Sequence, residues 1–353
     1  MLRLRIVYYL LLTLIRVFHQ FNRFDKKSQT KLVIEAGAIG WSHIDYQEQY
    51  LSACEYLGED NVVKSIIDKK CNYVDQVSTV FQDHDPSHYF YDCRSGSDIP
   101  MRGLFEAYAI AKLCIKNRII PICHLTDLPH VPWRLQVNLI SSCTGVLTTL
   151  MSPKSVRKAL TAKRVIGPVP MAFSKSSFEK IQLANEDKTC DGVITLGSMY
   201  EPRKSFVDEV EKGLQLLSIP FTRYGRDIGS KRISDDDYWR VMQSAKCVLT
   251  TGFQLNTKHT DDFASRSHLI YRYLEVLVSG STLIADRPEG IERIFTPGEH
   301  FLDFRDVDDA VDKISKFMNG EVSVDSSARI KAIVEVNLFW LLVDYGLEED
   351  SFK

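Results

Sequence analysis

The sequence lacks the cysteine patterns of a metal or disulfide protein. Its eight cysteines are scattered, no two form a Cys-x-x-Cys pair, and no cluster of histidine and cysteine has the spacing of a zinc site. Scattered single cysteines are typical of buried small side chains in a reducing compartment. We therefore expect a cytoplasmic protein without a structural zinc ion.

An excess of basic charge is also missing. The 353 residues carry 44 Lys and Arg against 46 Asp and Glu, a formal net charge of −2, whereas general nucleic-acid-binding proteins are usually clearly basic. The sequence has no Gly-x-Gly-x-x-Gly fingerprint of dinucleotide binding and no internal repeat. Nucleic acid is therefore not an expected partner, and the length suits two domains of ordinary size.

The N-terminal apolar run is shorter than a typical membrane-spanning helix. It has ten residues from Ile6 to Ile15 and is followed by Arg16, whereas a spanning helix needs about 20 apolar residues. No small-residue cleavage site follows it, as a signal peptide would require. For residues 1–30 we predict a helix that lies in a membrane interface through residues 1–24. A helix docked on the protein's own core, and a signal or spanning helix, remain alternatives.

Strand-like and helix-like segments alternate from Lys31 onward, which indicates parallel sheets covered by helices. We predict an α/β fold with two Rossmann-like, doubly wound parallel-sheet domains facing a cleft, preceded by the N-terminal apolar and basic helix. The Gly- and Pro-containing stretch from Val165 to Ser177 breaks the alternation and is the expected linker. The predicted divisions are residues 1–30, 31–170, 171–325, and a long C-terminal helix within 326–353 that is a candidate to cross back to the first domain.

A helix predicted over residues 267–280 carries a narrow polar stripe. At about 100° per residue, His268, Arg272, Glu275 and Ser279 fall on one face, and the other faces are apolar. A buried carboxylate is costly unless it is paired or hydrogen-bonded. Two interpretations of Glu275 stay open: an internal pair with Arg272 or His268, or a contact with the hydroxyls of a ligand, for which a ribose diol is a natural partner.

The first strand of the second domain ends in a sequence suited to phosphate binding. In "LGSMYEPRKSF", Gly197 and Ser198 follow the strand and leave backbone N–H groups near the start of the next helix. Arg203 and Lys204 follow at that helix start, where they are placed to neutralise a diphosphate. Two further strand ends, at Tyr224 and Gly252, are expected to line the same crevice.

The stretch "RYLEVLVSGSTLIADRPEGIERIFTPGEHFLDFRDVDDAVDKI" resembles the donor-binding half of the C-terminal domain of GT-B glycosyltransferases of the "glycosyl transferases group 1" type. "LEVLVSG" is similar to the end of the family's helix, and "PEGIERIFTPGEHFLDF" is similar to the turn and strand that follow. The resemblance implies that Glu275 holds the ribose of a nucleotide and that basic residues near Arg203 and Lys204 contact the donor diphosphate.

Two details of the resemblance concern the rest of the pocket. The turn that includes Glu289, Gly290 and Ile291 is expected to close its other side. Many members of the family carry a second glutamate where this chain has Ser267, and His268 or Arg272 is a candidate to make the contact with the donor sugar in its place.

The acceptor side offers two candidate bases. "IPICHLTDLPHVPW" places Asp127 and His130 just after a strand of the first domain, and the family often has His-Asp at a strand end there. If the enzyme inverts configuration, either residue is a candidate general base for the acceptor hydroxyl. A loop-capping aspartate and a surface histidine are the alternative interpretation.

These observations predict a glycosyltransferase that moves a sugar from a nucleotide-sugar donor to an acceptor hydroxyl. The expected acceptor is a glycan or a lipid-linked glycan in cell-surface polysaccharide assembly, and the expected location is the cytoplasm, peripherally on the inner face of the cytoplasmic membrane. No metal and no cofactor besides the nucleotide-sugar substrate are expected, because the acidic runs beginning at Asp235 and Asp306 are interpreted as helix caps. The alternatives are a non-catalytic GT-B-like protein that binds nucleotide or glycan and, less favoured, an epimerase or phosphorylase of the same architecture.

Overall fold

The computed structural model divides the chain into two compact units. The first comprises Met1–Ser174 and Asn337–Lys353, and the second comprises Lys175–Val336. The residues described are 2–20, 31–38, 44–92, 95–97, 99–125, 131–142, 145–149, 164–167, 169–184, 188–197, 199, 201–225, 235–252, 269–288 and 290–337.

The first unit is built on a parallel sheet with the strand order β2-β1-β3-β4-β5-β6. Leu32 of β1 is paired with Val62 of β2 on one side and with His88 of β3 on the other. All four residues of β3 are buried, as expected for a parallel sheet that is covered on both faces. The strands are β1 (Leu32–Ala38), β2 (Val62–Ile67), β3 (His88–Tyr91), β4 (Ile120–Leu125), β5 (Val146–Thr149) and β6 (Arg164–Ile166).

The helices of the first unit begin and end at recognisable caps. Gly58 follows α2, with φ of +87°, and its N–H donates to the carbonyl of Cys54 (2.8 Å). The Asn72 side chain caps α3 by accepting from the N–H groups of Val74 (3.0 Å) and Asp75 (3.3 Å). Neither β2 nor α3 was predicted from the sequence. The helices are α1 (Leu2–Gln20), α2 (Ile44–Leu57), α3 (Tyr73–His84), α4 (Pro100–Asn117) and α5 (Val131–Ser141).

Helix α1 packs one of its faces against α4 and α5. The amide of Asn138 in α5 donates to the Tyr8 hydroxyl, and the Lys112 ammonium of α4 lies 5.2 Å from the centroid of the Phe18 ring. Docking on the protein's own core therefore describes the inner face, which consists of Leu4, Tyr8, Leu11, Leu12 and Ile15.

The opposite face of α1 is apolar and exposed. Among the helices that the structure describes, none combines the length and the apolar character needed to cross a bilayer. We call this surface the outer face of α1; it consists of Leu2, Ile6, Tyr9, Leu10, Leu14 and Val17, which are 46–75% exposed.

The second unit has a parallel sheet with the order β11-β10-β9-β7-β8. Its core joins apolar residues of the strands with α7 and α10, and the rings of Phe206 and Phe304 stack with centroids 5.0 Å apart. The strands are β7 (Cys190–Leu196), β8 (Phe221–Tyr224), β9 (Ala245–Thr250), β10 (Thr282–Asp286) and β11 (Leu302–Phe304). The helices are α6 (Lys175–Ala184), α7 (Arg203–Leu216), α8 (Asp235–Ser244), α9 (Tyr271–Val278), α10 (Val307–Met318) and α11 (Ser327–Glu335).

Two predicted helices are shorter than expected. α9 begins at Tyr271, because Ile270 before it is extended (φ −91°, ψ 159°), whereas the predicted helix already included Leu269 and Ile270. The C-terminal helix ends at Glu335, and Asn337 adopts the left-handed conformation (φ +50°) that commonly follows a helix end.

The acidic run that begins at Asp306 caps α10 as predicted. The Asp306 carboxylate accepts a hydrogen bond from the N–H of Asp309 (2.9 Å), which satisfies one of the donors left unpaired at a helix start. The side chains of the other run, at Asp235 and Asp236, lie outside the described part of the chain.

Candidate functional site

The second unit has a topological switch point between β7 and β9. The chain leaves β7 to form β8 on one side, whereas β9 pairs with β7 on the other side. In open α/β sheets, ligands bind outside the carboxyl ends of the strands at such a point. The candidate site is therefore the edge where β7, β9 and β10 end.

Arg203 lies across this edge. It is the first residue of α7, yet its guanidinium reaches the end of β9, where Nε donates to the Thr251 hydroxyl (3.0 Å) and Nη2 donates to the Thr251 carbonyl (2.7 Å). Gly197, directly after β7, has φ of +110°, and its N–H donates to the carbonyl of Tyr224 (2.9 Å). The predicted residues Gly197 and Tyr224 thus meet where β7 and β8 end, whereas Arg203 is hydrogen-bonded to the end of β9.

The start of α7 is electropositive. The helix has no acidic residue in its first turn, and the aligned peptide dipoles favour an anion at this end. Part of the end is already occupied, since the Glu201 carboxylate accepts from the N–H (3.3 Å) and hydroxyl (2.6 Å) of Ser205.

Lys204, the second predicted base, is differently placed. Its side chain is half exposed and forms an ion pair with Asp208 (2.5 Å) one turn along the helix. The hydrogen bond from Lys204, together with Arg223, holds the pKa of the Asp208 carboxyl below its usual range. The charge of Lys204 is therefore balanced within α7, and Arg203 is the stronger candidate for contact with a diphosphate.

Asp286, at the end of β10, connects the ends of two strands and α9. Its carboxylate accepts from the backbone N–H of Gly252 and from the Tyr273 hydroxyl (3.0 Å), which also donates to the Asp286 carbonyl (2.7 Å). Asp286 is only 4% exposed. These bonds fix the start of α9 and the end of β9 against the same edge. Asp286 was not predicted from the sequence, although an aspartate at the end of an apolar strand was a usable signal.

Glu275 and Arg272 form an ion pair on α9. The Arg272 Nε lies 3.4 Å from the Glu275 Oε2, and Glu275 is 5% exposed. The Arg272 guanidinium carbon also lies 5.0 Å from the centroid of the Tyr238 ring, and Arg272 donates to the Tyr238 hydroxyl. The internal pair considered for Glu275 is therefore present. A carboxylate has about four lone-pair positions, so this pair does not exclude a ligand hydroxyl as a further donor.

In the turn after β10, the described residues Gly290 and Ile291 offer backbone rather than side chain to a ligand. Gly290 has φ of +83° and precedes a single 3₁₀ turn, Ile291–Arg293. The Ile291 side chain is completely buried, and its N–H donates to the Pro288 carbonyl (3.2 Å). Of the two predicted residues of this turn that the structure describes, Gly290 is therefore the one available for a ligand contact.

Several predicted site residues lie outside the described residues, and their predictions stay untested. β4 ends at Leu125, before the two candidate bases, and α5 begins at Val131 after them. The predicted residues concerned are Asp127, His130, Ser198, His268 and Glu289.

Comparison with known proteins agrees with this architecture. Residues 203–330 match the family described as Glycosyl transferase-like, which includes Arg203, α9 and the turn after β10. No curated protein sequence matches the chain.

Two solved structures share the fold. One is Anabaena Alr3699/HepE in complex with UDP-glucose, which is 11% identical over 90% of this chain and 98% of that chain, with a TM-score of 0.55. The other is AviGT4, a glycosyltransferase involved in avilamycin A biosynthesis, which is 10% identical over 89% of this chain and 96% of that chain, with a TM-score of 0.56. The chain therefore has the two-domain α/β fold of GT-B glycosyltransferases, and the predicted fold class is confirmed.

Proposed function

We propose that the protein is a glycosyltransferase that transfers a sugar from a nucleotide-sugar donor to an acceptor hydroxyl. The observation that carries the proposal is the position of Arg203 and of the Arg272–Glu275 pair at one strand edge, within the segment that matches the glycosyl transferase-like family. The resemblance in fold to HepE, which was crystallised with UDP-glucose, supports a nucleotide sugar as donor.

In the proposed reaction the acceptor oxygen attacks the anomeric carbon of the donor sugar. A new C–O bond forms, the bond from that carbon to the diphosphate breaks, and the diphosphate leaves with the bonding electron pair. Arg203 and the start of α7 stabilise the negative charge that develops on the leaving group. The proton of the acceptor hydroxyl passes to a base, for which Asp127 and His130 remain the candidates if configuration is inverted.

Glu275 is proposed to hold the donor by accepting hydrogen bonds from the two ribose hydroxyls. Arg272 acts as its positioning residue, because the guanidinium is itself held by the ring and hydroxyl of Tyr238. The proposal includes no metal and no cofactor, since a guanidinium and a helix start neutralise the diphosphate. Within the described part of the chain, no three His, Cys, Asp or Glu side chains are grouped to hold a metal ion.

The test combines nucleotide binding with turnover. We expect one of UDP, GDP or CMP to raise the unfolding midpoint, with a stabilisation of about 2.7 kcal/mol at a concentration 100-fold above its Kd. Glu275→Gln keeps the shape of the side chain but loses its charge, and we expect it to lower kcat/KM for the donor at least about tenfold. Glu209→Gln, an exposed carboxylate on α7, is the matched control. Absence of protection by every nucleotide, or equal protection in Glu275→Gln, would contradict the proposal.

The main alternative is a non-catalytic GT-B-like protein that binds nucleotide or glycan. It is supported by Ser267, which stands where many members of the family have a second glutamate. Protection by a nucleotide without release of free nucleotide from any UDP-, GDP- or CMP-sugar, whatever the acceptor, would favour this alternative. An epimerase would instead change the sugar, and a phosphorylase would need inorganic phosphate.

We further propose a membrane-linked acceptor, as in cell-surface polysaccharide or lipid-linked glycan assembly, with the protein held peripherally at the inner face of the cytoplasmic membrane. The outer face of α1 presents apolar side chains, while Arg3, Arg5 and Arg16 are exposed on the same helix. Apolar residues beside basic residues are typical of helices that bind the interface of anionic bilayers.

Vesicle co-sedimentation tests this proposal. Because the inner face of α1 is buried, a deletion of the helix would uncover α4 and α5, so substitutions on the outer face are the better perturbation. We expect the triple variant Ile6→Gln, Leu10→Gln, Leu14→Gln to pellet less with phosphatidylglycerol-containing vesicles than the unmodified chain. Leu183→Gln with Leu216→Gln, two leucines that are each 87% exposed elsewhere, is the control. Equal pelleting of all three proteins would refute membrane binding through α1.

A further inference from the structure

The first unit contains a pocket at its own topological switch point. β2 and β3 lie on opposite sides of β1, so the switch point is where these three strands end. A cavity of about 260 Å³ is formed there by residues that follow β2 and β3 and by the start of α4. This volume is slightly below the usual range of about 300–1,000 Å³ for sites of drug-sized ligands, which suits a group of the size of one sugar ring.

The Tyr73 ring lines one side of the pocket, and its hydroxyl is held by a buried carboxylate. The Tyr73 hydroxyl donates to Glu35 of β1 (2.5 Å). Glu35 is 1% exposed, and it also accepts from the Tyr89 hydroxyl and from the backbone N–H of Asp92 (2.9 Å). Three donors thus hold one buried carboxylate, and that carboxylate holds the ring at the pocket wall.

The opposite wall is polar and carries balanced charge. Arg102 Nε donates to Glu106 Oε1 (2.9 Å), and Glu106 Oε2 accepts from the N–H of Ser97 (2.8 Å). Asp68 and Lys69 add one charge of each sign to the lining. Among the described residues of the lining, two acidic and two basic side chains balance each other, so these residues provide no net charge that would select an ionised ligand.

Ser95 is the polar group of the lining that lacks a partner. It is 3% exposed, and its hydroxyl has no hydrogen-bond partner among the described residues. A buried hydroxyl without a partner is uncommon in native proteins and is usually satisfied by something else, such as a water molecule or a ligand.

We propose that this pocket binds a neutral monosaccharide ring, whose hydroxyl groups bond the polar residues of the lining and whose C–H groups contact Tyr73. This inference rests on the proposed function in one respect, because it takes the ring to be part of the sugar acceptor. It names the class of acceptor that the first unit selects: an uncharged sugar, rather than a uronic acid or another anionic ring.

Gly96 supplies a variant that narrows the pocket and leaves the fold intact. A Cβ at this position would lie 3.4 Å from Glu106 Oε2 and 3.5 Å from Tyr73 Cε1, which are ordinary contacts between the two walls. Gly96 does not have a positive φ, so an alanine needs no unusual backbone conformation. Gly96→Ala is therefore expected to fold and to exclude a sugar ring.

The experiment measures binding of methyl glycosides by saturation-transfer NMR to the full chain without nucleotide. Neutral methyl hexosides are expected to bind, and the methyl glycoside of glucuronic acid is expected to bind at least about tenfold more weakly. Gly96→Ala should abolish binding, and Ser95→Ala should weaken it about three- to tenfold, the effect of one neutral hydrogen bond. Ser78→Ala on α3, outside the lining, is the matched control and should bind as the unmodified chain does.

The same samples separate this inference from the proposed function. Glu275→Gln should keep hexoside binding and lose protection by nucleotide. The pocket assignment is wrong, while the donor site stands, if nucleotide protects the protein but no hexoside binds. The same conclusion follows if Gly96→Ala and Ser95→Ala both bind hexosides as well as the unmodified chain does, or if the glucuronide binds more tightly than the hexosides. If hexosides bind in the predicted pattern but no nucleotide protects, the pocket assignment holds and the proposed transfer reaction falls.

Discussion

Replacing Glu35 by glutamine should remove a defined part of the pH dependence of stability. Burial raises the pKa of the Glu35 carboxyl from 4.5 to about 7, against the lowering effect of its hydrogen bonds from Tyr73, Tyr89 and Asp92. Between those two pH values the unfolded chain has lost this proton and the folded chain still holds it, so stability falls as pH rises through the window and is constant above it. Each unit of difference in pKa between the folded and unfolded chains corresponds to about 1.4 kcal/mol. The free energy of unfolding therefore falls by about 3 kcal/mol across this window.

The assay is urea denaturation of the unmodified chain and of Glu35→Gln at pH 4.5 and at pH 8. The glutamine amide fits the site but accepts the hydrogen bonds from the N–H of Asp92 and the tyrosine hydroxyls less well than a carboxylate does. The resulting loss in free energy of unfolding does not depend on pH. Other titrating groups are common to both proteins and cancel in the difference. From pH 4.5 to pH 8, we expect the free energy of unfolding of Glu35→Gln to rise by about 3 kcal/mol relative to that of the unmodified chain. Glu55→Gln, an exposed carboxylate in the same unit, should show no gain. If the difference in free energy of unfolding between Glu35→Gln and the unmodified chain is the same at both pH values, the assignment of a buried, protonated Glu35 is refuted.

Two further predictions concern packing and thiol reactivity. Gly192→Ala should destabilise the second unit by about 1–3 kcal/mol in urea denaturation, because a Cβ at Gly192 would lie 2.4 Å from the backbone oxygen of Pro220; a loss below about 0.5 kcal/mol would contradict this close approach. Burial raises the pKa of the Cys247 thiol to about 12 and the pKa of the Cys114 thiol well above its ordinary value, so neither should react with a disulfide reagent at pH 8 in the folded protein. Exposed Cys71 should react, and Cys71→Ser should lower the number of fast-reacting thiols, whereas a decrease in Cys247→Ser would contradict the burial of that residue.

Local pattern was enough to predict the two parallel-sheet domains. Buried strands such as "GVITLG" and "CVLTTG" are short apolar runs bounded by glycine, and the segments between them have helical periodicity. The position of Gly197 and Arg203 followed from the same reasoning, because a strand end and a helix start are adjacent in the chain. What these predictions share is that each depends on residues fewer than ten positions apart.

The rest of the two sites depends on contacts between distant residues. Glu35 meets Tyr73 and Tyr89, which are 38 and 54 positions away, and Gly252 meets Asp286 across 34 positions. No periodicity of the sequence encodes such pairs. The start of α9 was predicted too early for a related reason, since helical spacing was applied to Leu269 and Ile270 although the helix starts at Tyr271.

The docking of α1 has a consequence for the energetics of membrane binding. In proteins, most of the stability of a helix comes from the packing of its apolar face. A disordered segment that folds on a membrane loses about 1–2 kcal/mol of backbone entropy for each ordered residue. α1 is already helical, because its inner face is packed on α4 and α5. The entropy of ordering is therefore lost when the protein folds, and vesicle binding through the outer face should leave the helical content of the chain unchanged.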